Sequence, residues 1–337
     1  MKKLGKILLW VVAILVVLLL VAISLTIGWR PFIGPRARAT TNRQFERTPQ
    51  RLERGRYLFA CSTGCSGCHS LHDWNIHGGP ILPGGGGVGQ VMGFSDLPGR
   101  IVASNITPDP ETGAGNWTDD QLARAIREGI GHDGRALFPM MPYENLSHLS
   151  DEDLASIIVY TRTLPLVRHE LPPTQIIFPV KYLIRSVPQP VTGPVTSPDR
   201  SNQLKWGQYL LTIGSCNQCH SPQIKGRVAR GLEYSGGFTL KGPWGEAASA
   251  NITPDASGIG YYDEALFLQA MRTGYVKARK LNSIMPFGEF KDMTDEDLKA
   301  MFAYLRTLKP VKHRVDNSLP PTYCKLCRLT HGAGDQN

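Results

Sequence analysis

The sequence predicts an all-α protein in which one helical unit occurs twice, behind a single N-terminal membrane-crossing helix. Three observations predict this. The run Ile7 to Trp29 contains no charged residue and is long enough to span a bilayer. Helix signals recur in the same order in both halves of the remaining chain. Strand-like alternation is scarce. The expected organisation is an anchor at 1–29, a first domain at 45–165, a proline-rich linker at 166–201, a second domain at 202–312 and a tail at 313–337.

Lys2, Lys3 and Lys6 precede the apolar run, which places the amino terminus in the cytoplasm and the rest across the membrane. The apolar stretch exceeds the ~7–15 residues of a signal-peptide core, and no clear small-residue cleavage site follows. An uncleaved anchor is therefore expected. Glycine and proline number 35 and 25 among 337 residues, so long loops should separate the helices. The net charge of +9 includes no basic run dense enough for nucleic acid.

Each copy opens with a helix signature, Gly55-Arg56-Tyr57-Leu58 and Gly207-Gln208-Tyr209-Leu210. A Gly-rich loop leads to Asn105-Ile106-Thr107-Pro108-Asp109 in one copy and Asn251-Ile252-Thr253-Pro254-Asp255 in the other. Helical runs at Gln121 to Glu128 and Ala265 to Thr273 stop at Gly129 and Gly274, which suit C-caps. Met141-Pro142-Tyr143 then matches Met285-Pro286-Phe287. Ser150 and Thr294 are N-caps for the last helix of each copy, with acidic residues in its first turn. Tyr57 and Tyr209 are expected to pack on Tyr160 and Tyr304 of these last helices. The Asn-Ile-Thr-Pro-Asp segments read as tight turns. Between the copies, Pro165 to Ser201 holds eight prolines and reads as an extended connector.

The chemistry lies in a pentapeptide that occurs twice: Cys65-Ser66-Gly67-Cys68-His69 and Cys216-Asn217-Gln218-Cys219-His220. Cys-x-x-Cys-His is the attachment spacing of a c-type haem. Two thiols at this separation can bond the two vinyl groups of one porphyrin, and the adjacent imidazole reaches the iron. A zinc site would need paired ligand clusters, which the surrounding sequence does not offer. Two covalently bound haem c groups are therefore expected, with Cys65, Cys68 and His69 holding one and Cys216, Cys219 and His220 the other. Their propionates would offset about four positive charges.

A second axial ligand is expected from methionine, which raises the potential of a haem opposite histidine. Met141 and Met285 occupy equivalent places, each fixed in extended geometry by the following proline. Met140 does not align with Met285, and Met92, Met271 and Met293 read as core or surface residues. His72, His77, His132, His148, His169, His313 and His331 are read as unmatched between the copies. His132 and His148 stand as the alternatives for bis-histidine ligation. Of the other cysteines, Cys324-Lys325-Leu326-Cys327 is followed by Arg328 and so lacks an iron ligand. One pair among Cys61, Cys324 and Cys327 is expected to form a disulfide.

On these motifs the chain resembles the membrane-bound, multihaem cytochrome c subunits of bacterial alcohol, gluconate and aldehyde dehydrogenases, over about residues 50–165 and 203–312. The resemblance implies two cytochrome c-like domains and His/Met ligation, with His69 paired to Met141 and His220 to Met285. Many such subunits carry three haem domains; this chain has two and a Cys-containing tail. The resemblance implies an electron relay at the periplasmic side of a bacterial inner membrane. The donor would be a dehydrogenase, and the acceptor a quinone, an oxidase or a soluble cytochrome. The competing reading is a dihaem redox enzyme, a peroxidase or a thiosulfate-oxidising cytochrome using Cys61. Matched methionines in both copies speak against it.

Overall fold

The computed structural model describes residues 2–224, 226–332 and 334. It is helix-rich, and its strands form only two-stranded antiparallel pairs among the described residues. The first helix, α1 (Lys2–Thr26), is long and apolar enough to cross a membrane, and none of the residues of its span Lys3–Thr26 is buried in the protein. A short helix, α2 (Arg30–Ile33), follows it.

The first copy begins with α3 (Pro49–Tyr57). Thr48 caps it by accepting from the Arg51 amide, and Pro49 occupies the first turn, where no amide donor is needed. The chain then widens into a π-helical turn, Leu58–Ser62, and reverses through Gly64 at φ 65°. Helix α4 (Cys65–His69) carries the first pentapeptide. A glycine-rich loop and a small hairpin, Gln90–Val91 with Val102–Ala103, lead to α5 (Asp119–Glu128). Thr118 and Gln121 close a capping box at its start, and Gly129 ends it at φ 68°. Helix α6 (Tyr143–Leu146) is a single turn, and α7 (Asp151–Thr161) is capped by Ser150, which accepts from the Asp153 amide.

The connector is only partly extended. Gln175–Ile176 pairs with Gly99–Arg100 of the first copy. A cis Phe178–Pro179 bond precedes α8 (Val180–Leu183), which runs into a 3-10 turn, Ile184–Ser186. The apolar stretch here lies against the segment after the anchor, with Ile184 buried and the Arg185 guanidinium donating to the Pro31 carbonyl at 3.0 Å.

The second copy repeats the first. Helix α9 (Gln203–Ile213) is capped by Asn202, and Ser215 takes the left-handed place of Gly64 at φ 57°. Helix α10 (Cys216–Cys219) carries the second pentapeptide and ends at His220. The hairpin Thr239–Gly242 with Gly245–Ala248 precedes α11 (Glu264–Thr273), capped by Asp263 and ended by Gly274 at φ 69°. Helices α12 (Phe287–Phe290) and α13 (Asp295–Thr307) follow, with Thr294 capping α13 as expected.

In each copy the first and last long helices cross at a glycine. A Cβ on Gly55 would lie 1.9 Å from the Ser156 carbonyl oxygen, and one on Gly207 would lie 1.9 Å from that of Ala300. No side chain fits at either crossing. One cluster of buried apolar residues is drawn from both copies, including Leu58, Leu122, Leu154 and Ile158 with Trp206, Leu210, Phe267 and Leu298.

The two tyrosines of the helix signatures do not form the expected aromatic pairs with Tyr160 and Tyr304 among the described residues. Each crosses to the other copy. The Tyr209 hydroxyl donates to Asp153 Oδ2 at 2.6 Å and accepts from the Ser150 amide. The Tyr57 hydroxyl donates to Asp297 Oδ2 at 2.6 Å and accepts from the Thr294 amide. Tyr160 lies against Phe59 instead, with ring centroids 5.4 Å apart. Asp153 also receives both arms of Arg54, at 2.8 and 2.9 Å, and Asp297 receives the indole N–H of Trp206 at 2.6 Å. Tyr209→Phe removes a bond to a buried carboxylate and strands the Ser150 amide. It should cost about 1–3 kcal/mol, read as a lower midpoint in chemical denaturation, and Tyr57→Phe should behave alike.

Candidate haem-binding sites

The two pentapeptide helices are held identically. The His69 Nδ1 lies 2.7 Å from the Ser104 carbonyl, and the His220 Nδ1 lies 2.7 Å from the Ala250 carbonyl. A carbonyl can only accept, so Nδ1 carries the proton in both rings and Nε2 keeps its lone pair. Among the described residues, neither Nε2 makes a hydrogen bond. Desolvation lowers the pKa of both imidazoles below the usual histidine range, which keeps them neutral.

The backbone around each ring is equally matched. The His69 carbonyl accepts from the Gly89 amide and the His220 carbonyl from the Gly236 amide, at 2.9 and 2.7 Å. Both glycines have positive φ, and a Cβ would lie 2.4 Å from the Ala103 backbone at Gly89 and 2.4 Å from the Ala250 backbone at Gly236. The next residue is a fully buried serine in both copies: Ser70 Oγ accepts from the Gly87 amide and Ser221 Oγ from the Tyr234 amide. This serine follows each motif directly in the sequence.

Met141 and Met285 are half-buried against the common core. The proline after each has nearly the same backbone, φ −81° and ψ 47° at Pro142 and φ −79° and ψ 48° at Pro286. A backbone bond closes each turn, from Tyr143 N to Met141 O and from Phe287 N to Met285 O. The following aromatic ring lies against the glycine that ends the preceding helix, Tyr143 on Gly129 and Phe287 on Gly274. The Met-Pro-aromatic segments are thus docked at equivalent places.

The Asn-Ile-Thr-Pro-Asp segments are tight turns, and they also fasten the end of each copy. Asn105 Oδ1 accepts from Thr107, while its amide donates to the Val167 carbonyl at 2.9 Å. Asn251 does the same with Thr253 and the Val311 carbonyl at 2.8 Å. Two residues further on, His169 and His313 prove to be equivalent. Their Nδ1 atoms meet the Val88 and Ser235 carbonyls at 3.0 and 2.9 Å, and their amides donate to Thr112 and Ser257. The reading of them as unmatched is corrected. The common frame Thr163-x₃-Val167-x-His169 and Thr307-x₃-Val311-x-His313 was present in the sequence. The other histidines remain unmatched: His132 and His148 are exposed, and both ring nitrogens of His72 meet backbone carbonyls.

Each pentapeptide helix is covered by the single-turn helix of the other copy. Asn145 on α6 donates to Asn217 on α10 at 2.9 Å. The equivalent residue of α12, Glu289, lies on α4, where a Cβ on Gly67 would come within 2.6 Å of its carboxyl oxygen. Burial pushes the Glu289 carboxyl up to about 8, so it is largely protonated at neutral pH. The cysteines are all free. Burial raises the Cys65 and Cys68 thiols to about 11 and 12. Cys61 packs in the common core, where burial raises its thiol to about 11.

No family model matches the chain. The cytochrome subunit of fructose dehydrogenase from Gluconobacter japonicus is 31% identical over 271 residues, 76% of this chain and 52% of that protein. A nicotinate dehydrogenase subunit from Pseudomonas putida is 32% identical over 77% of this chain and 21% of its own length. A diheme cytochrome c-type protein from Cereibacter sphaeroides is 27% identical over 77% of this chain and 86% of its own. The chain is a homologue of bacterial cytochrome c subunits. It spans about half or less of the length of the first relatives it matches.

In this cytochrome c homologue the donor set suits haem in both copies. Each site offers two unbridged thiols three residues apart and a neutral imidazole whose Nε2 is uncommitted. Ser221→Ala would strand the partly buried Tyr234 amide and should cost about 1–3 kcal/mol. Thermal unfolding followed by far-UV circular dichroism checks it, and Ser70→Ala should match it in the first copy.

Proposed function

We propose that the chain is a dihaem c-type cytochrome, anchored in a bacterial inner membrane with its haem domains on the periplasmic side. In this reading it passes electrons from a dehydrogenase to a quinone, an oxidase or a soluble cytochrome. The observation that carries it is the duplicated imidazole geometry, with Nδ1 tied to a carbonyl and Nε2 free at both His69 and His220.

When bound, haem c supplies a one-electron iron couple. The chain's own residues hold, orient and shield it. Cys65 and Cys68 would anchor one group within residues 45–165, and Cys216 and Cys219 the other within 202–312. The carbonyls of Ser104 and Ala250 orient the two imidazoles and raise their basicity as ligands. Met141 and Met285 would be the second protein ligands of the two groups. Their equivalent turns and half-buried positions support this pairing, and the exposed places of His132 and His148 favour it over bis-histidine ligation. The relatives named as dehydrogenase cytochrome subunits support a dehydrogenase as donor, and the one named diheme supports a count of two. The apolar helix α1 supports the anchor, and Lys2, Lys3 and Lys6 ahead of it support the orientation.

The reading is tested on the full chain extracted in detergent. Replacing Cys216 and Cys219 with Ala should lower covalent haem per chain to about half, measured as haem stain against protein. Replacing all four motif cysteines should abolish it. Met285→Ala and Met141→Ala should each remove one thioether–iron charge-transfer band from the oxidised spectrum and lower one midpoint potential. Retained haem in the four-cysteine variant, or unchanged spectra in both methionine variants, would reject the assignment. Rapid mixing with a reduced dehydrogenase should reduce both haems, and steady turnover of peroxide or thiosulfate would make the protein an enzyme.

A further inference from the structure

The C-terminal tail contributes a second kind of site. Thr322–Tyr323 and Thr330–His331 pair as a hairpin joined by Cys324-Lys325-Leu326-Cys327-Arg328-Leu329. The Cys324 amide donates to the Leu329 carbonyl, the Arg328 amide donates to the Cys324 carbonyl, and Arg328 takes a left-handed φ of 59°. This tight turn gathers the two sulfurs. The hairpin lies on the second copy, where Thr239 donates to the Thr330 carbonyl at 3.1 Å. There it meets His313, and the ligand atoms of His313, Cys324, Cys327 and His331 all lie within 4.8 Å of one another.

We propose that these four residues form a structural zinc site that fastens the tail to the second copy. Two thiolates and two imidazoles are a donor set that suits tetrahedral zinc, and the thiolates balance the charge of the ion. His313 is already set for this role. Its Nδ1–H donates to the Ser235 carbonyl at 2.9 Å, so the Nε2 lone pair points to the cluster, 3.3 Å from Cys324 Sγ. A carbonyl behind a ligating imidazole is the usual outer support of a zinc histidine. His331 Nε2 is buried and has no hydrogen-bond partner among the described residues, an arrangement that is costly unless something else satisfies it. His313 and Cys327 are fully enclosed, at 2% and 0% exposure.

The comparison with the first copy separates this role from the repeat. His169 makes the same Nδ1 bond as His313, so that bond is part of the shared fold. The three other ligands come from the tail, which has no counterpart after His169. A disulfide between Cys324 and Cys327 would consume both sulfurs. It would explain neither the orphaned His331 nitrogen nor the approach of His313 to Cys324. The site also accounts for the cysteines that the haem motifs leave over, apart from Cys61 in the core.

The test uses the full chain with its haems, purified in detergent without added metal or chelator. Elemental mass spectrometry should find about one zinc per chain, and absorption at the zinc edge, clear of iron, should show two sulfurs near 2.3 Å and two nitrogens near 2.0 Å. The double variant Cys324→Ser/Cys327→Ser and the single variant His331→Ala should each lose that zinc while keeping the wild-type haem stain. Retained haem shows that the rest of the chain is folded and that any failure lies in the tail. Absence of zinc, with Cys324 and Cys327 found as a disulfide or as free thiols by alkylation, overturns the proposal. Occupancy by iron or copper in place of zinc overturns it also. Zinc that persists in His331→Ala and in the cysteine variant assigns the metal to another place and overturns it as well.

Discussion

Two buried carboxylates, Asp153 and Asp297, hold the repeats together as one body. Each stands in the first turn of the last helix of its copy, where the amide ends favour negative charge. That alone would not offset the cost of burying a charge, which is several kcal/mol for an unpaired ion. Each is satisfied by a tyrosine from the opposite copy, and that tyrosine also accepts the amide of the capping residue. The cap, the carboxylate and the phenol are therefore one connected network shared by both halves. The remaining partner has diverged, with Arg54 on Asp153 and the equivalent Trp206 on Asp297, and the guanidinium lies over the indole at 5.6 Å. A second exchange above it, Asn145 onto α10 and Glu289 onto α4, covers the pentapeptide helices in the same reciprocal way.

Much of this was legible because it is local. The N-caps Ser150 and Thr294, the C-cap glycines Gly129 and Gly274 and the turns at Asn105 and Asn251 each depend on contacts a few residues away. The pentapeptides are legible for the same reason, since their chemistry is written in their own spacing. What crosses between the copies was not. Nothing near Tyr57 names Asp297 as its partner, and nothing near Gly67 names Glu289. The equivalence of His169 and His313 was within reach, but the proline before it is displaced by one place, Leu164-Pro165 against Leu308-Lys309-Pro310. Only the shared bond to a loop carbonyl makes the match plain.

The copies differ most in their loops, and the differences make them unequal neighbours. The first copy's longer glycine-rich loop reaches across the boundary: Trp74 meets Trp244 edge-on at 4.9 Å, and His77 packs on Phe287 at 4.6 Å. A largely neutral carboxyl borders the first pentapeptide helix and a carboxamide borders the second. Two sites built on one backbone plan thus sit in different electrostatic surroundings. In the proposed dihaem reading, that is the condition for two identical prosthetic groups to differ in potential.

The segment between α1 and α3 is no loose leash. Arg38 grips Asp120 with both arms at 2.8 Å and Glu128 at 2.6 Å, and Thr41 and Phe45 donate their amides to Asp120 and Asp119. Beyond α2, Arg36 reaches Gln189 in the connector at 2.9 Å. In the proposed reading, where α1 is the anchor, a head tied down this way stays close to the lipid sheet that holds its stem. Its collisions would then become a two-dimensional search: partners that travel in the same sheet would meet it side-on, while partners arriving from the bulk would see only the faces that the mount leaves uncovered.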